Sequence, residues 1–131
     1  MLLYHIAIIV SREECLGFYR DLGFEETSRQ VRPSYHDTLV WMAGNGIVLE
    51  VFVDATHPSH VTNPEAYGLR HIALETNDLE GMWHRLGRYN PEPIRQDYGI
   101  FFVKDLDGCP IEIRERQFRS GFLHPKEGGG F

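Results

Sequence analysis

Four side chains in this sequence stand out for the chemistry they could do: His5, Glu50, His71 and Glu112. Each lies inside an apolar, β-rich run, as in Leu3-Tyr4-His5-Ile6-Ala7-Ile8 and Ile47-Val48-Leu49-Glu50-Val51-Phe52. Successive strand residues face opposite sides. Glu50 therefore shares a face with Val48 and Phe52, and His5 shares one with Leu3, Ala7 and Ile9. An unpaired carboxylate on such a face is so costly that it neutralises or finds a partner. One strand histidine alone would read as a hydrogen-bonded core residue, and one strand glutamate as a solvent-facing one. Four at matching places are better explained by a single cation that all four hold. Two imidazoles and two carboxylates suit Ni²⁺, Co²⁺, Mn²⁺, Fe²⁺ or Zn²⁺, with two positions left for water or substrate. No thiolate takes part, which separates the set from structural zinc knots. Ala7 and Ala73 follow the two histidines on the same face and leave room over an ion.

The places match because the chain contains itself twice. His5-Ile6-Ala7-Ile8 returns as His71-Ile72-Ala73-Leu74, a shift of 71 − 5 = 66 residues. Leu22-Gly23 returns as Leu86-Gly87, a shift of 86 − 22 = 64. Gly46-Ile47-Val48-Leu49-Glu50-Val51 returns as Gly108-Cys109-Pro110-Ile111-Glu112-Ile113, a shift of 108 − 46 = 62. The constant order and slowly drifting shift describe two diverged copies with small loop deletions.

Each copy predicts a strand, a helix and three more strands. In the first, residues 3–10 are β-rich, and Ser11 with Glu14 has the capping-box spacing. Cys15, Leu16, Tyr19 and Leu22 fall on one helical face, and Gly23 is placed to end the helix in a left-handed turn. Strands follow at about 24–31, 36–43 and 47–53, the last two joined by the hairpin signal Gly44-Asn45-Gly46. In the second copy, residues 69–75 form a strand and Asn77 or Asp78 caps a helix bearing Leu79, Met82, Trp83 and Leu86. Strands then run near 94–96, 100–104 and 110–116, with Asp105-Leu106-Asp107-Gly108 as the last turn. The expected layout is one domain over 1–117, made of a module at about 1–55, a linker at 56–67 and a module at about 68–117, followed by a loose tail at 118–131.

Composition narrows the function. The chain has 131 residues, 42% of them hydrophobic, which suits one compact domain with a real core. A net charge of −6 argues against nucleic-acid binding. The basic residues are 11 Arg and 2 Lys, and Arg is the better fork for anionic groups. The opening apolar run is too short to span a bilayer and lacks the marks of a secretory leader, so a cytoplasmic, soluble protein is expected. Cys15 reads as core filler, Cys109 as a turn residue without a neighbouring base, and neither as a nucleophile. His36, His57, His60, His84 and His124 have no repeat partner and read as loop or surface residues.

The halves resemble those of the vicinal oxygen chelate superfamily, the glyoxalase, bleomycin-resistance and dioxygenase fold. His5-Ile6-Ala7-Ile8 resembles its first-ligand strand, and Phe18-Tyr19-Arg20-Asp21-Leu22-Gly23-Phe24 its helix end. Gly68-Leu69-Arg70-His71-Ile72-Ala73-Leu74 resembles the third-ligand strand, and Asp105-Leu106-Asp107-Gly108-Cys109-Pro110-Ile111-Glu112 the turn before the fourth ligand. Glu50 at the second ligand position tilts the resemblance toward the glyoxalase I-like branch. The resemblance implies an α+β fold in which two βαβββ modules form a cupped mixed sheet around a metal site. It also implies a homodimer, in which one chain or two supply the four ligands. The implied activity is that of a metal-dependent lyase or isomerase on a small α-hydroxycarbonyl or thiol-adduct substrate, through a metal-stabilised enediolate. A glutamate would move the proton, Glu112 first and Glu50 second. The alternatives it brings are an antibiotic-binding resistance protein and a thiol transferase acting on an epoxide antibiotic.

Overall fold

The computed structural model describes residues 1–116, and the tail expected at 118–131 lies outside them. The described backbone divides into two compact units: 1–64 together with 105–109, and 65–104 together with 110–116. The fold is mixed α and β, with a sheet of four strands in the first unit and one of three strands in the second.

In the first unit, strand β1 (Ile6–Val10) leads into helix α1 (Glu14–Asp21), then β2 (Glu25–Arg32), β3 (Asp37–Gly44) and β4 (Ile47–Val53). The sheet order is β1-β4-β3-β2, with β1 parallel to β4 and the other pairs antiparallel. Alternation sorts the residues as expected. Leu49 and Val51 of β4, Val40 and Met42 of β3 and Val10 of β1 are buried. With Cys15, Leu16, Phe18 and Tyr19 of α1 they form the core. Their neighbours Val48, Glu50 and Phe52 stand on the other, half-buried face.

The helix begins later than the capping-box spacing predicts. Its N-cap is Glu13, in helical geometry, with no side-chain cap. Ser11 is instead drawn to the 105–109 turn, its backbone N–H donating to Asp107 Oδ2 at 2.8 Å. The C-terminal end follows expectation, with Gly23 at φ +103°. The β3–β4 hairpin also uses its left-handed residues, Asn45 at +54° and Gly46 at +76°. Asn45 Nδ2 donates to the Leu22 carbonyl at 3.0 Å, so the hairpin tip closes the end of α1.

The 105–109 turn is held by one buried carboxylate. Asp105 Oδ1 accepts from the backbone N–H groups of Asp107 and Cys109, at 2.9 and 2.8 Å. Its Oδ2 accepts from the Tyr19 hydroxyl at 2.7 Å. Burial, reinforced by the Asp105 charge, pushes the Tyr19 phenol far above its ordinary range.

The second unit repeats the plan with one strand fewer. Strand β5 (Ile72–Thr76), helix α2 (Leu79–Arg85), β6 (Ile100–Lys104) and β7 (Pro110–Glu115) give the order β5-β7-β6. Asp78 caps α2 by accepting from the Gly81 N–H at 2.9 Å. The strand expected at 94–96 reduces to a single bridge between Arg95 and Ile100. Pro91 and Pro93 remove two ladder donors, and the chain turns back within Arg95–Gly99, leaving no length for a ladder. The expected second βαβββ module is therefore βαββ. Trp83, on the apolar stripe of α2, is half-buried, and its indole N–H donates to the Glu92 carbonyl at 2.9 Å. None of the described helices is long and apolar enough to cross a membrane.

Candidate metal centre

The parallel pairing that opens each sheet builds the same local site twice. In the first unit Ala7 of β1 lies beside Glu50 of β4, which lies beside Trp41 of β3. In the second, Ala73 of β5 lies beside Glu112 of β7, which lies beside Phe102 of β6. Each histidine sits one residue before its strand. His5 Nε2 is 3.5 Å from Glu50 Oε1, and His71 Nε2 is 3.3 Å from Glu112 Oε1. Each imidazole meets the aromatic ring across from its glutamate edge-on, with centroids 5.2 Å apart for both His5–Trp41 and His71–Phe102. The four polar residues stand out in the sequence; the two aromatic rings do not, because their alignment needs the strand register.

Each His–Glu pair has a small residue beside the glutamate and an aromatic ring against the histidine. All four side chains are partly covered, from 27% exposed at His5 to 10% at Glu112. The separations are long for an imidazole–carboxylate hydrogen bond, which prefers about 2.7 to 2.9 Å when charged. They suit two ligands of one ion. Bonds near 2.1 Å place adjacent ligand atoms roughly 3.0 Å apart at a right angle and roughly 3.4 Å apart at the tetrahedral angle. The donor set and its spacing thus fit a divalent cation at the Nε2 side of each imidazole. His5 Nδ1, on the other side of its ring, is buried with no hydrogen-bond partner among the described residues.

The structure brings His5 together with Glu50, and His71 with Glu112. Each unit by itself offers a two-residue half-site, and among the described residues no group of three or more His, Cys, Asp or Glu side chains is gathered to hold an ion.

One contact has no forerunner in the sequence analysis. Arg114 Nη1 donates to Glu112 Oε2 at 2.6 Å, so the two oxygens of that carboxylate have different neighbours. In the first unit Arg32 lies within electrostatic reach of Glu50 but gives its hydrogen bonds to another carboxylate. Arg32 donates to Asp37 through Nε and Nη2, at 2.8 and 2.7 Å, and lies over the Tyr35 ring. That fork holds the Asp37 carboxyl below its ordinary range. Both cysteines are free and neither belongs to a half-site.

Comparison with known proteins identifies the family. Residues 3–113 match the pattern of the glyoxalase/bleomycin resistance protein/dioxygenase superfamily, and the chain belongs to it. An uncharacterized protein of Bacillus subtilis, YwkD, is 36% identical over a stretch covering 87% of this chain and 96% of that protein. A glyoxalase family protein from Enterococcus faecalis, known from its crystal structure, is 29% identical with a TM-score of 0.79, over 87% of this chain and 97% of that one. The fosfomycin resistance protein FosX of Listeria monocytogenes, crystallised with Mn(II) and sulfate, shares the fold at 15% identity and a TM-score of 0.69, over 90% of this chain and 96% of that one.

Proposed function

We propose that this chain is a metal-dependent lyase or isomerase of the glyoxalase kind, acting on a small α-hydroxycarbonyl compound or its thiol adduct. The observation that carries the reading is the repetition of one His–Glu pair, at nearly equal separation, at matching register positions in both sheets. A protein that only enclosed a ligand would have no need of two carboxylates, one buried and one half-buried, facing imidazoles. The Mn(II) complex of FosX supports a divalent ion as a resident of this fold.

His5, Glu50, His71 and Glu112 would hold the ion, contributed by one chain or shared between two copies in a homodimer. A bound divalent ion supplies Lewis-acid polarisation to adjacent oxygens of a substrate and so acidifies the C–H bond beside them. The protein does the rest. Ala7 and Ala73 leave room for the substrate, and Trp41 and Phe102 hold the imidazoles and exclude water behind them. One glutamate takes the proton from carbon and returns it to the neighbouring carbon.

Elemental analysis of protein purified without chelator, then soaked in Ni²⁺ or Mn²⁺, should find about one ion per four-residue set. His71→Ala should lose the ion and turnover of a hemithioacetal or α-hydroxycarbonyl substrate together. Well under one ion per set overturns the reading. Tight small-molecule binding without turnover, with any divalent ion, makes the chain a binding module instead.

A further inference from the structure

The two half-sites differ at one position. Glu112 is followed on its strand face by Arg114, whereas Glu50 is followed on its face by Phe52. Glu112 is consequently held at one oxygen: Oε2 accepts from Arg114 Nη1 at 2.6 Å, while Oε1 faces His71 Nε2 at 3.3 Å. The Glu112 and Arg114 side chains are 10% and 20% exposed, so water competes little for this bond. Among the described residues Glu50 has only His5 within ion-pair distance, at 3.5 Å; Arg32 feels its charge from farther off, but its fork is bonded to Asp37.

We propose that Arg114 is a positioning residue that fixes Glu112 as a permanent ligand through Oε1, leaving Glu50 as the carboxylate that moves the substrate's proton. This rests on the metal-dependent reading above and reverses the order of the two glutamates that the family resemblance implies. A carboxylate that leaves an ion to collect a proton must turn. Glu112 turns only by breaking a short, charge-assisted bond in a part-buried place. Glu50 turns without breaking one. Ligating carboxylates are commonly aimed by such outer partners, and their loss weakens metal binding. In the reaction, the proton passes from the substrate carbon to a Glu50 oxygen, the C–H electron pair stays on the substrate, and the proton is returned to the neighbouring carbon.

Co²⁺ titration of the whole protein, followed by calorimetry and visible absorption, tests this without a substrate. Arg114→Leu should weaken Co²⁺ binding by roughly 10- to 100-fold, and Arg114→Lys should recover part of the loss. The effect should vanish in a Glu112→Gln background and persist in a Glu50→Gln background. Glu50→Gln alone should weaken binding less than Glu112→Gln. Should Arg114→Leu not fold, Arg114→Gln carries the same comparison. Unchanged affinity on loss of the guanidinium, or an equal loss in both glutamine backgrounds, overturns the proposal while leaving the metal reading in place. A wild-type protein that takes up no Co²⁺ overturns both.

Discussion

The hydroxyl of Tyr19, in the middle of α1, donates to Asp105 Oδ2 at 2.7 Å, across 86 residues of sequence and inside the core. Asp105 in turn orders the turn from which β7 and Glu112 start. Tyr19→Phe keeps the ring and removes the donor. The Asp105 carboxylate then loses one of three hydrogen bonds in a buried place, which should cost about 1–3 kcal/mol. Urea denaturation of the two proteins measures it. A change below about 0.5 kcal/mol would show that water or another donor replaces the phenol.

The β3–β4 hairpin carries a second constraint. A Cβ built on Gly44 would stand 2.2 Å from the Gly23 carbonyl oxygen, a backbone atom that has no rotamer with which to retreat. Gly44→Ala should therefore push the hairpin off the end of α1 and disturb the Asn45–Leu22 bond. Overpacking of this sort costs typically 1–3 kcal/mol. Gly46, at φ +76° with open space about its Cα, should be less severe as alanine, limited to backbone strain of roughly 1 kcal/mol. Thermal melts of the two variants rank them, and the reverse ranking would refute the steric argument.

Much of the fold is legible in the sequence, for physical reasons. The repeat fixed which residues are equivalent, and period-two alternation put Glu50 and Glu112 on the face opposite the buried aliphatics. Gly23, Asn45 and Gly46 announced their left-handed turns because few other residues tolerate them. What stayed hidden depends on partners far apart in sequence. Ser11 has the chemistry of a helix cap, yet its N–H goes to Asp107, 96 residues away. Trp41 and Phe102 become neighbours of the histidines only through strand register. Arg114 was visible as a basic residue two places after Glu112, but any strand-face arginine looks equally solvated until its bond is seen. The missing strand at 94–96 was a question of length, decided by two prolines and an early turn back.

The two thiols offer a test that involves no ion. Cys15 is fully buried, and burial raises its pKa. Cys109 is partly covered, and burial, with the charges of Asp105 and Asp107 beside it, pushes its thiol up to about 11 from 9.0. A shift of 11 − 9.0 = 2 units lowers the thiolate fraction near neutral pH about 100-fold, and the thiolate is the nucleophile. Alkylation by iodoacetamide at pH 7.5 should therefore be about 100-fold slower at Cys109 than at a free thiol, and slower still at Cys15, while both react readily in denaturant. The same shift sets a pH dependence of stability. A folded pKa above the unfolded one means that the neutral thiol is favoured in the native state. That contribution is fully present below about pH 9 and is lost as pH rises through about 11. Cys109→Ser, a group that stays neutral over this range, should flatten the fall in urea-denaturation stability between pH 9 and 11. Rapid labelling of Cys109 in the native protein, or an unchanged alkaline slope in Cys109→Ser, would show that the thiol is neither shielded nor held neutral by its surroundings.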